Sequence, residues 1–353
     1  MVVQHKIGLI GRVDPNCTMN DGQTVKTRTV WKMLCDRYGD NDIVVVDTLN
    51  YKKEPLRVAL EYHRCMKECM DIVVLLSRNG RKLFFPLLAK QAAKNRKRIY
   101  HNLIGGSLAD NVRHDSHLAN QLRSFQVNWV ESRDMVTELA EYGVNNCVFL
   151  PNFKQIVPLS EDELVVPDGS PRRLCMFARM TEKKGVREAI DATRILCDRD
   201  GGDAWALDLY GPIDQDFREE FESMLTEAPF ARYCGCANPS ESVKVLRGYW
   251  AMLFPTRWES EGFPGTIIDA FAAGIPIVAS RWGYYDEMLC DGETGFSYEY
   301  GGDAVELAAA INRLADNDCQ MMNYKVQCLR RAELYSAEKL FGSMATRIEE
   351  GWE

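Results

Sequence analysis

What this chain lacks bounds it first. No stretch reaches the roughly 18 uncharged apolar residues that span a bilayer, and mean hydropathy is −0.28. The opening MVVQHKIGLIGRV is a short charged lead into an apolar run that ends at Arg12. It is without the longer apolar region and small-residue cleavage site of a signal peptide, so a cytoplasmic location is expected. Twelve cysteines are scattered through the chain with no C-x-x-C. Zinc ribbons and thioredoxin-type redox motifs therefore lack support, and reduced, mostly buried thiols are expected. Histidines number only five. His114 and His117 lie three apart on a predicted helix with no third ligand nearby, so no metal site is expected. After the first apolar run, GLIGRVDPNC offers Gly8 and Gly11 but then Asp14-Pro15, which breaks the G-x-G-x-x-G of a nicotinamide dehydrogenase. Neither a P-loop nor a G-x-S-x-G elbow occurs.

What is present describes a globular protein. Hydrophobic residues make up 46% and charged residues 27% of 353, and that length favours two domains. The net charge of −8 hides an asymmetry, since residues 1–150 carry +6 and the remainder −14. A global pI near 5.4 argues against a dedicated nucleic-acid binder. The basic excess peaks over residues 78–98, where Arg78, Arg81, Lys82, Lys90, Lys94, Arg96, Lys97 and Arg98 face no acidic residue. Leu83, Phe84, Phe85, Leu87 and Leu88 lie within it. This stretch reads either as a helix resting on an anionic membrane surface or as a solvated helix whose apolar side packs on a sheet.

Short β-branched runs alternate with longer helical patterns. Strands are expected at Lys6–Val13, Ile43–Asp47, Asp71–Leu76, Arg98–Ile104, Val127–Glu131 and Cys147–Leu150. Helices are expected near Thr24–Tyr38 and Met135–Tyr142. A second series gives strands at Arg173–Ala178, Ala206–Tyr210, Ala231–Cys234, Ala251–Phe254 and Pro276–Ala279, with helices over Val186–Leu196 and Ile267–Ala273. Continuous apolar strands between helices predict parallel sheets covered on both faces. Pro151, Pro158, Pro167 and Pro171, amid polar residues, mark a linker. The expected organisation is an α/β chain of two Rossmann-like, doubly wound domains facing across a cleft. Residues 1–155 form the first, 156–171 the linker and 172–336 the second, with 337–353 a helix packing back on the first.

The densest chemistry lies in Phe254–Ser280, FPTRWESEGFPGTIIDAFAAGIPIVAS. A strand ends at Phe254, a loop holds Glu259 and Glu261, and a helix starts near Gly265 or Thr266. A helix N-terminus offers unpaired N–H groups and a positive dipole end, suited to sugar hydroxyls or phosphate. Gly262 and Gly265 let backbone approach a ligand closely. Asp269, about one turn into the helix, can accept two hydroxyl hydrogen bonds from a ribose. In a second stretch, RLCMFA runs into Arg179, then Thr181-Glu182-Lys183-Lys184-Gly185 and a helix. Arg179 at a strand's carboxyl end and Lys184 near a helix start can converge on one anion, Arg through its fork and Lys as a point charge.

FARMTEKKG resembles the G-R-x-x-x-x-K-G segment, and ESEGFPGTIIDAFAAGIPIVAS the E-x7-E block, of glycosyltransferase family 4, retaining enzymes of the GT-B fold that use nucleotide-sugar donors. Asn20-Asp21-Gly22-Gln23-Thr24-Val25-Lys26-Thr27, Ile104-Gly105-Gly106-Ser107-Leu108, Leu150-Pro151-Asn152-Phe153-Lys154 and Tyr210-Gly211-Pro212 are similar to a bacterial, surface-polysaccharide branch. The resemblance runs from about residue 6 to the final helix. It implies that Arg179 and Lys184 hold the donor diphosphate, that Glu261 acts at the donor sugar, and that Asp269 binds the ribose. It further implies that N–H groups at Phe263, Gly265 and Thr266 meet sugar or phosphate, with Gly22 and Gln23 on the donor side of the first domain.

Three departures stand out. Position 269 is Asp where the family usually has Glu, and Ala178 replaces the usual Gly. The histidine of the first domain's fourth strand-loop has no clear counterpart, so no role is transferred to His101. The implied activity is sugar transfer from a UDP- or GDP-sugar to a glycan or lipid-linked acceptor, with no metal or other cofactor required. D-x-D spacings at Asp40/Asp42, Asp198/Asp200 and Asp214/Asp216 are at chance frequency and indicate no metal-dependent GT-A enzyme. Two competing readings are a silent nucleotide-sugar-binding partner subunit and a sugar-nucleotide epimerase, and the EGFPG block does not fit the latter.

Overall fold

The structure is a computed structural model that describes residues 5–19, 21–94 and 96–352; Asn20, quoted above, lies outside them. The chain divides into two units, one running to Gln155 and including the segment from Ala337 onward, the other Ile156–Ser336. In the first, β1 (Ile7–Gly11), α1 (Gly22–Tyr38), β2 (Ile43–Asp47), α2 (Pro55–Glu68), β3 (Asp71–Leu75) and α3 (Arg78–Ala92) follow in turn. They lead to β4 (Arg98–Asn102), α4 (Leu108–Arg113), α5 (Ser116–Arg123), β5 (Val127–Val130), α6 (Arg133–Glu141) and β6 (Cys147–Phe149). The second unit holds β7 (Arg172–Phe177), α7 (Val186–Asp200), β8 (Trp205–Tyr210), α8 (Arg218–Thr226), β9 (Ala231–Tyr233) and α9 (Ser242–Leu246). It continues through β10 (Ala251–Phe254), α10 (Gly265–Ala272), β11 (Ile277–Ser280), α11 (Tyr285–Met288), β12 (Gly295–Tyr298), α12 (Ala304–Asp316) and α13 (Met321–Ala332). The last helix, α14 (Ala337–Glu349), belongs to the first unit.

Each unit is built on one six-stranded parallel sheet, ordered β2-β1-β3-β4-β5-β6 in the first and β12-β11-β10-β7-β8-β9 in the second. Both are doubly wound, because the strand order reverses beside β1 and beside β7. The register follows the apolar runs: Ile7 pairs with Ile43 on one side and Asp71 on the other, in strands buried on both faces. Helices begin where short polar side chains can cap them. Asp21 accepts from the Thr24 N–H of α1 at 3.3 Å, Ser132 from Met135 N–H of α6 at 3.1 Å, and Asp303 from Val305 N–H of α12 at 2.9 Å. Helix α14 joins the first core through Phe341, Met344 and Ile348, beside Ile7, Tyr100 and Trp129. Glu349 takes both Arg37 and the Tyr38 hydroxyl, and Trp352 Nε1 donates to Asp71 at 2.9 Å.

Several boundaries differ from the sequence reading. Strand β1 stops at Gly11, two residues early, as Arg12 turns to pair with Asp21. His114 and His117 do not share a helix: α4 ends at Arg113, and the Asp115 side chain starts α5 by capping His117 and Leu118 N–H. Strand β12 was not expected. Its Gly295 has φ +139, and a Cβ there would lie 1.8 Å from the Ile277 carbonyl oxygen, so only glycine permits the pairing. Residues 156–171 are held on the second unit, with Leu164 buried and Leu159 N–H bonded to Ala272 O at 2.8 Å. Among the described residues no helix is long and apolar enough to cross a membrane, and no group of three or more His, Cys, Asp or Glu is arranged to hold a metal.

Candidate active site

The chemistry-bearing residues of the second unit sit beyond the carboxyl ends of β7, β8 and β10, where open α/β sheets receive ligands. β10 delivers Phe254, and the loop that follows folds back so that Thr256 Oγ1 donates to Glu261 Oε2 at 2.9 Å. The same oxygen accepts from the Lys184 ammonium, with both side chains mostly buried. Lys184 also lies over the rings of Phe254 and Trp258, 5.8 and 5.7 Å from their centroids. Trp258 itself is exposed and has Lys183 over its ring as well.

Backbone sterics set this pairing. Gly185 ends the turn carrying Lys184 at φ +75, and a Cβ there would lie 2.0 Å from the Pro255 carbonyl oxygen. The Arg257 N–H then donates to Lys183 O at 2.8 Å, tying the β10 loop to the turn. The Arg257 side chain reaches Glu188 on α7. A glycine and two arginine contacts thus hold Lys184 and Glu261, 77 residues apart in sequence, against each other.

Arg179 goes elsewhere. It follows β7 and pairs with Asp214 at 3.3 Å, both half-exposed, in the loop after β8. That loop is close because Gly211, at φ +141, sits where a Cβ would be 1.8 Å from the Ala178 carbonyl oxygen. Arg179 and Lys184 therefore do not meet on one anion in this state; each is neutralised by its own carboxylate. Sequence reasoning set Asp214 aside as a chance D-x-D spacing, although its place just past the end of β8 was the available signal. Thr256 and Trp258 were not singled out either.

The block after the loop is partly core. Phe263 is buried against Tyr335, with ring centroids 5.1 Å apart. Gly262 O accepts from Trp282 Nε1 at 3.2 Å. Gly265 opens α10 after Pro264 with no side-chain cap on its first-turn N–H groups, those of Gly265 and Thr266 among them. Asp269 is buried just past the first turn of that helix. Gly22 and Gln23 are in the other unit, at the start of α1. There Arg12 Nη2 bonds Asp21 at 3.0 Å and Gln23 Oε1 at 2.8 Å. A Cβ on Gly22 would meet nothing within 4 Å.

Comparison with known proteins follows the same division. Residues 171–317 match the family described as Glycosyl transferases group 1. The amylovoran biosynthesis glycosyltransferase AmsK of Erwinia amylovora is 28% identical over 156 residues, which is 43% of this chain and 38% of AmsK. A D-inositol 3-phosphate glycosyltransferase of Corynebacterium diphtheriae is 27% identical over 207 residues, 56% of this chain and 48% of that protein. The chain thus spans less than half the length of these curated relatives. Solved structures match over both units. Anabaena HepE in complex with UDP and glucose gives a TM-score of 0.74 at 15% identity, covering 98% of this chain and 100% of HepE. Sucrose-phosphate synthase from Thermosynechococcus elongatus gives 0.75 at 14% identity, covering 99% of each chain. Residues 171–317 thus resemble the group 1 glycosyl transferases in sequence, and the two units share the GT-B fold of these solved structures.

Proposed function

We propose that this protein transfers a sugar from a nucleoside-diphosphate sugar to an acceptor hydroxyl with retention of anomeric configuration, in the synthesis of a bacterial polysaccharide. The observation that carries the proposal is the Lys184–Glu261–Thr256 cluster beside the uncapped start of α10, at the ligand-binding edge of the second sheet. HepE, whose structure is described in complex with UDP-glucose, shares the fold, and AmsK acts in amylovoran biosynthesis. A UDP- or GDP-sugar is the donor this favours.

In this reading the carboxylates that hold Lys184 and Arg179 are stand-ins for phosphate. The incoming diphosphate takes both cations, Arg179 by its fork and Lys184 as a point charge, releasing Glu261 toward the donor sugar. The N–H groups of Gly265 and Thr266 add the positive end of α10. Asp269 holds the ribose. Charge building on the diphosphate as the glycosidic bond breaks is then met by donors already in place, and electrostatic preorganisation of this kind is usually the main source of rate enhancement. The departing phosphate oxygen accepts the proton of the attacking hydroxyl on the same face, which gives retention without a protein nucleophile.

The test is nucleotide release from UDP-, GDP-, ADP- and dTDP-sugars, with wild type beside Glu261→Ala. Slow release from one donor, lost in the variant, is expected. Absence of any nucleoside-diphosphate binding would overturn the proposal.

A bilayer-surface location is proposed alongside. Tyr62 of α2 and Phe84 of α3 pack with ring centroids 5.9 Å apart, so the two helices are neighbours. They expose Leu56, Leu60, Leu83 and Leu87 beside Lys82 and Lys90. Exposed apolar residues on two neighbouring helices, one of them carrying exposed lysines, suit an anionic leaflet. Co-sedimentation with phosphatidylglycerol vesicles but not phosphatidylcholine ones, lost in Leu56→Ser/Leu60→Ser, is the expected result.

A further inference from the structure

The first unit contains a buried cation that pairs with no carboxylate among the described residues. Arg81 lies one turn into α3 and is only 4% exposed. Among the described residues no carboxylate lies within 4 Å of its guanidinium. Its hydrogen bond, from Nη1 to Ile104 O, is long at 3.4 Å. Arg78, on the same helix, opposes the charge further. An ionised group taken out of water costs several kcal/mol unless paired and fully hydrogen-bonded. Burial lowers the Arg81 pKa to about 10, which still leaves it charged at neutral pH.

Its neighbours do not supply the missing charge. The adjacent carbonyl, Leu103 O, accepts from a second buried cation, Lys26, at 2.9 Å. Lys26 holds Glu131 at 2.6 Å, so the one buried carboxylate nearby is already committed. His101, fully buried, is kept near 3 first by burial and then by the Arg81 charge, so it stays neutral. The Asn128 side-chain N–H groups are engaged with Leu122 O and Asn146, so Asn128 Oδ1 accepts from His101 Nδ1–H. His101 Nε2 is left as a buried lone pair with no donor. Two consecutive carbonyls at the end of β4 thus meet two buried cations and a single carboxylate.

Helical side chains lean toward the helix N-terminus, which carries the Arg81 guanidinium back to the turn between β3 and α3 and across to the loop after β4. Ser77, one turn before Arg81 on the same face, caps no backbone N–H with its hydroxyl. On the other side Gly105, exposed at φ +85, has open space where a Cβ would be. Both flanks lie at the carboxyl edge of the first sheet.

We infer that Arg81, between the Ser77 turn and the Ile104–Ser107 loop, forms a subsite for one oxyanion, a phosphate or carboxylate carried by the acceptor. The identification of its bearer as the acceptor rests on the glycosyltransfer reading; the anion site does not.

The test uses the full chain with Arg179→Ala and Lys184→Ala in the background, so that phosphate held by the two donor-side cations does not contribute. Saturation-transfer NMR with glycerol 3-phosphate, glucuronate and neutral glycerol reads binding directly. The expected result is that one or both anions bind and glycerol does not, with affinity falling about ten- to hundredfold in Arg81→Met, as loss of a charge-assisted hydrogen bond does. Binding of glycerol 3-phosphate alone assigns a phosphorylated acceptor, and of glucuronate alone a uronate. Arg81→Lys keeps the charge without the fork and is expected to fall between; it also serves if the methionine variant does not fold. Anion binding unchanged by both substitutions, or no anion binding by the parent chain, overturns the inference. UDP binding to the chain with Arg179 and Lys184 intact is measured separately, so failure of the donor reading shows there and failure of the anion subsite shows here.

Discussion

The two units share a doubly wound parallel sheet but treat charge at its ligand-facing edge in opposite ways. In the second, Arg179 rests on Asp214 with both half-exposed, and Lys184 rests on Glu261 with both mostly but not fully buried. In the first, Lys26 and Glu131 are locked together out of water, and Arg81 is buried with no carboxylate paired to it among the described residues. Exposed or half-exposed pairs cost little to open and are worth about 0–1 kcal/mol. Buried ones are expensive to break. On the glycosyltransfer reading, Arg179 is the cation of the second edge that exchanges its counterion most cheaply when an anionic ligand arrives. The first is built to keep its own pair fixed while leaving one charge to be met from outside.

The largest effect that tests this contrast is on stability. Lys26→Met breaks the buried pair with Glu131, 2.6 Å apart, so a loss of about 3–5 kcal/mol in urea unfolding of the first unit is expected. Lys26→Met/Glu131→Leu should recover most of it, since both members of the buried pair are then gone. A single-variant loss below about 1 kcal/mol would mean that the buried pair behaves like a surface pair, and the contrast between the units would collapse.

The second effect, nearly as large in free energy, falls on rate instead. Arg179→Ala and Lys184→Ala should each lower turnover about 10²–10³-fold, the usual result of deleting one preorganised charge donor. Stability should move by only about 0–1 kcal/mol for Arg179, whose partner is half-exposed. Wild-type turnover in both variants would sink the phosphate assignment. Substantial unfolding of Arg179→Ala would show that its pair with Asp214 is structural.

How much of this could be read beforehand follows from how far apart the partners lie in sequence. The alternation of apolar strands and helices was legible because both faces of each sheet are covered, which makes the strands continuous runs such as IVVVD and DIVVL. The block from Phe254 to Ser280 was legible because strand end, loop, glycines and helix start follow within one local stretch. The pairings were not. Lys26 and Glu131 are 105 residues apart, Lys184 and Glu261 77, and no local spacing records either contact. Strand β12 was not legible either, because the missing Cβ of Gly295 that lets it lie against Ile277 is a contact no local spacing records. His114 and His117 misled, because helical spacing cannot see that Asp115 caps a new helix between them.

The smallest effect sharpens the comparison by supplying a control. Lys325 on α13 is, like Arg81, a buried cation that pairs with no carboxylate among the described residues, its ammonium 3.3 Å from Gly274 O past the end of α10. It lies on the far side of the sheet from the ligand edge, before β11 begins, so no ligand is expected there. Lysine can shed its proton as arginine cannot, and burial lowers the Lys325 pKa to about 8 from 10.5. In the unfolded chain the group keeps its proton up to the higher value, so between about pH 8 and 10.5 the unfolded state binds more protons and stability rises with pH. Below about 8 the full cost of burying the charge remains, of order 3 kcal/mol. Lys325→Met should therefore stabilise the second unit at neutral pH, and the advantage over wild type should shrink as pH climbs toward 10.5. Taking the difference between the two proteins removes the tyrosines and cysteines that titrate over the same range. An advantage that stays constant with pH would mean Lys325 is charged throughout and tolerated. The premise that a buried, unpaired cation needs either neutralisation or a ligand would then lose its support at Arg81 as well.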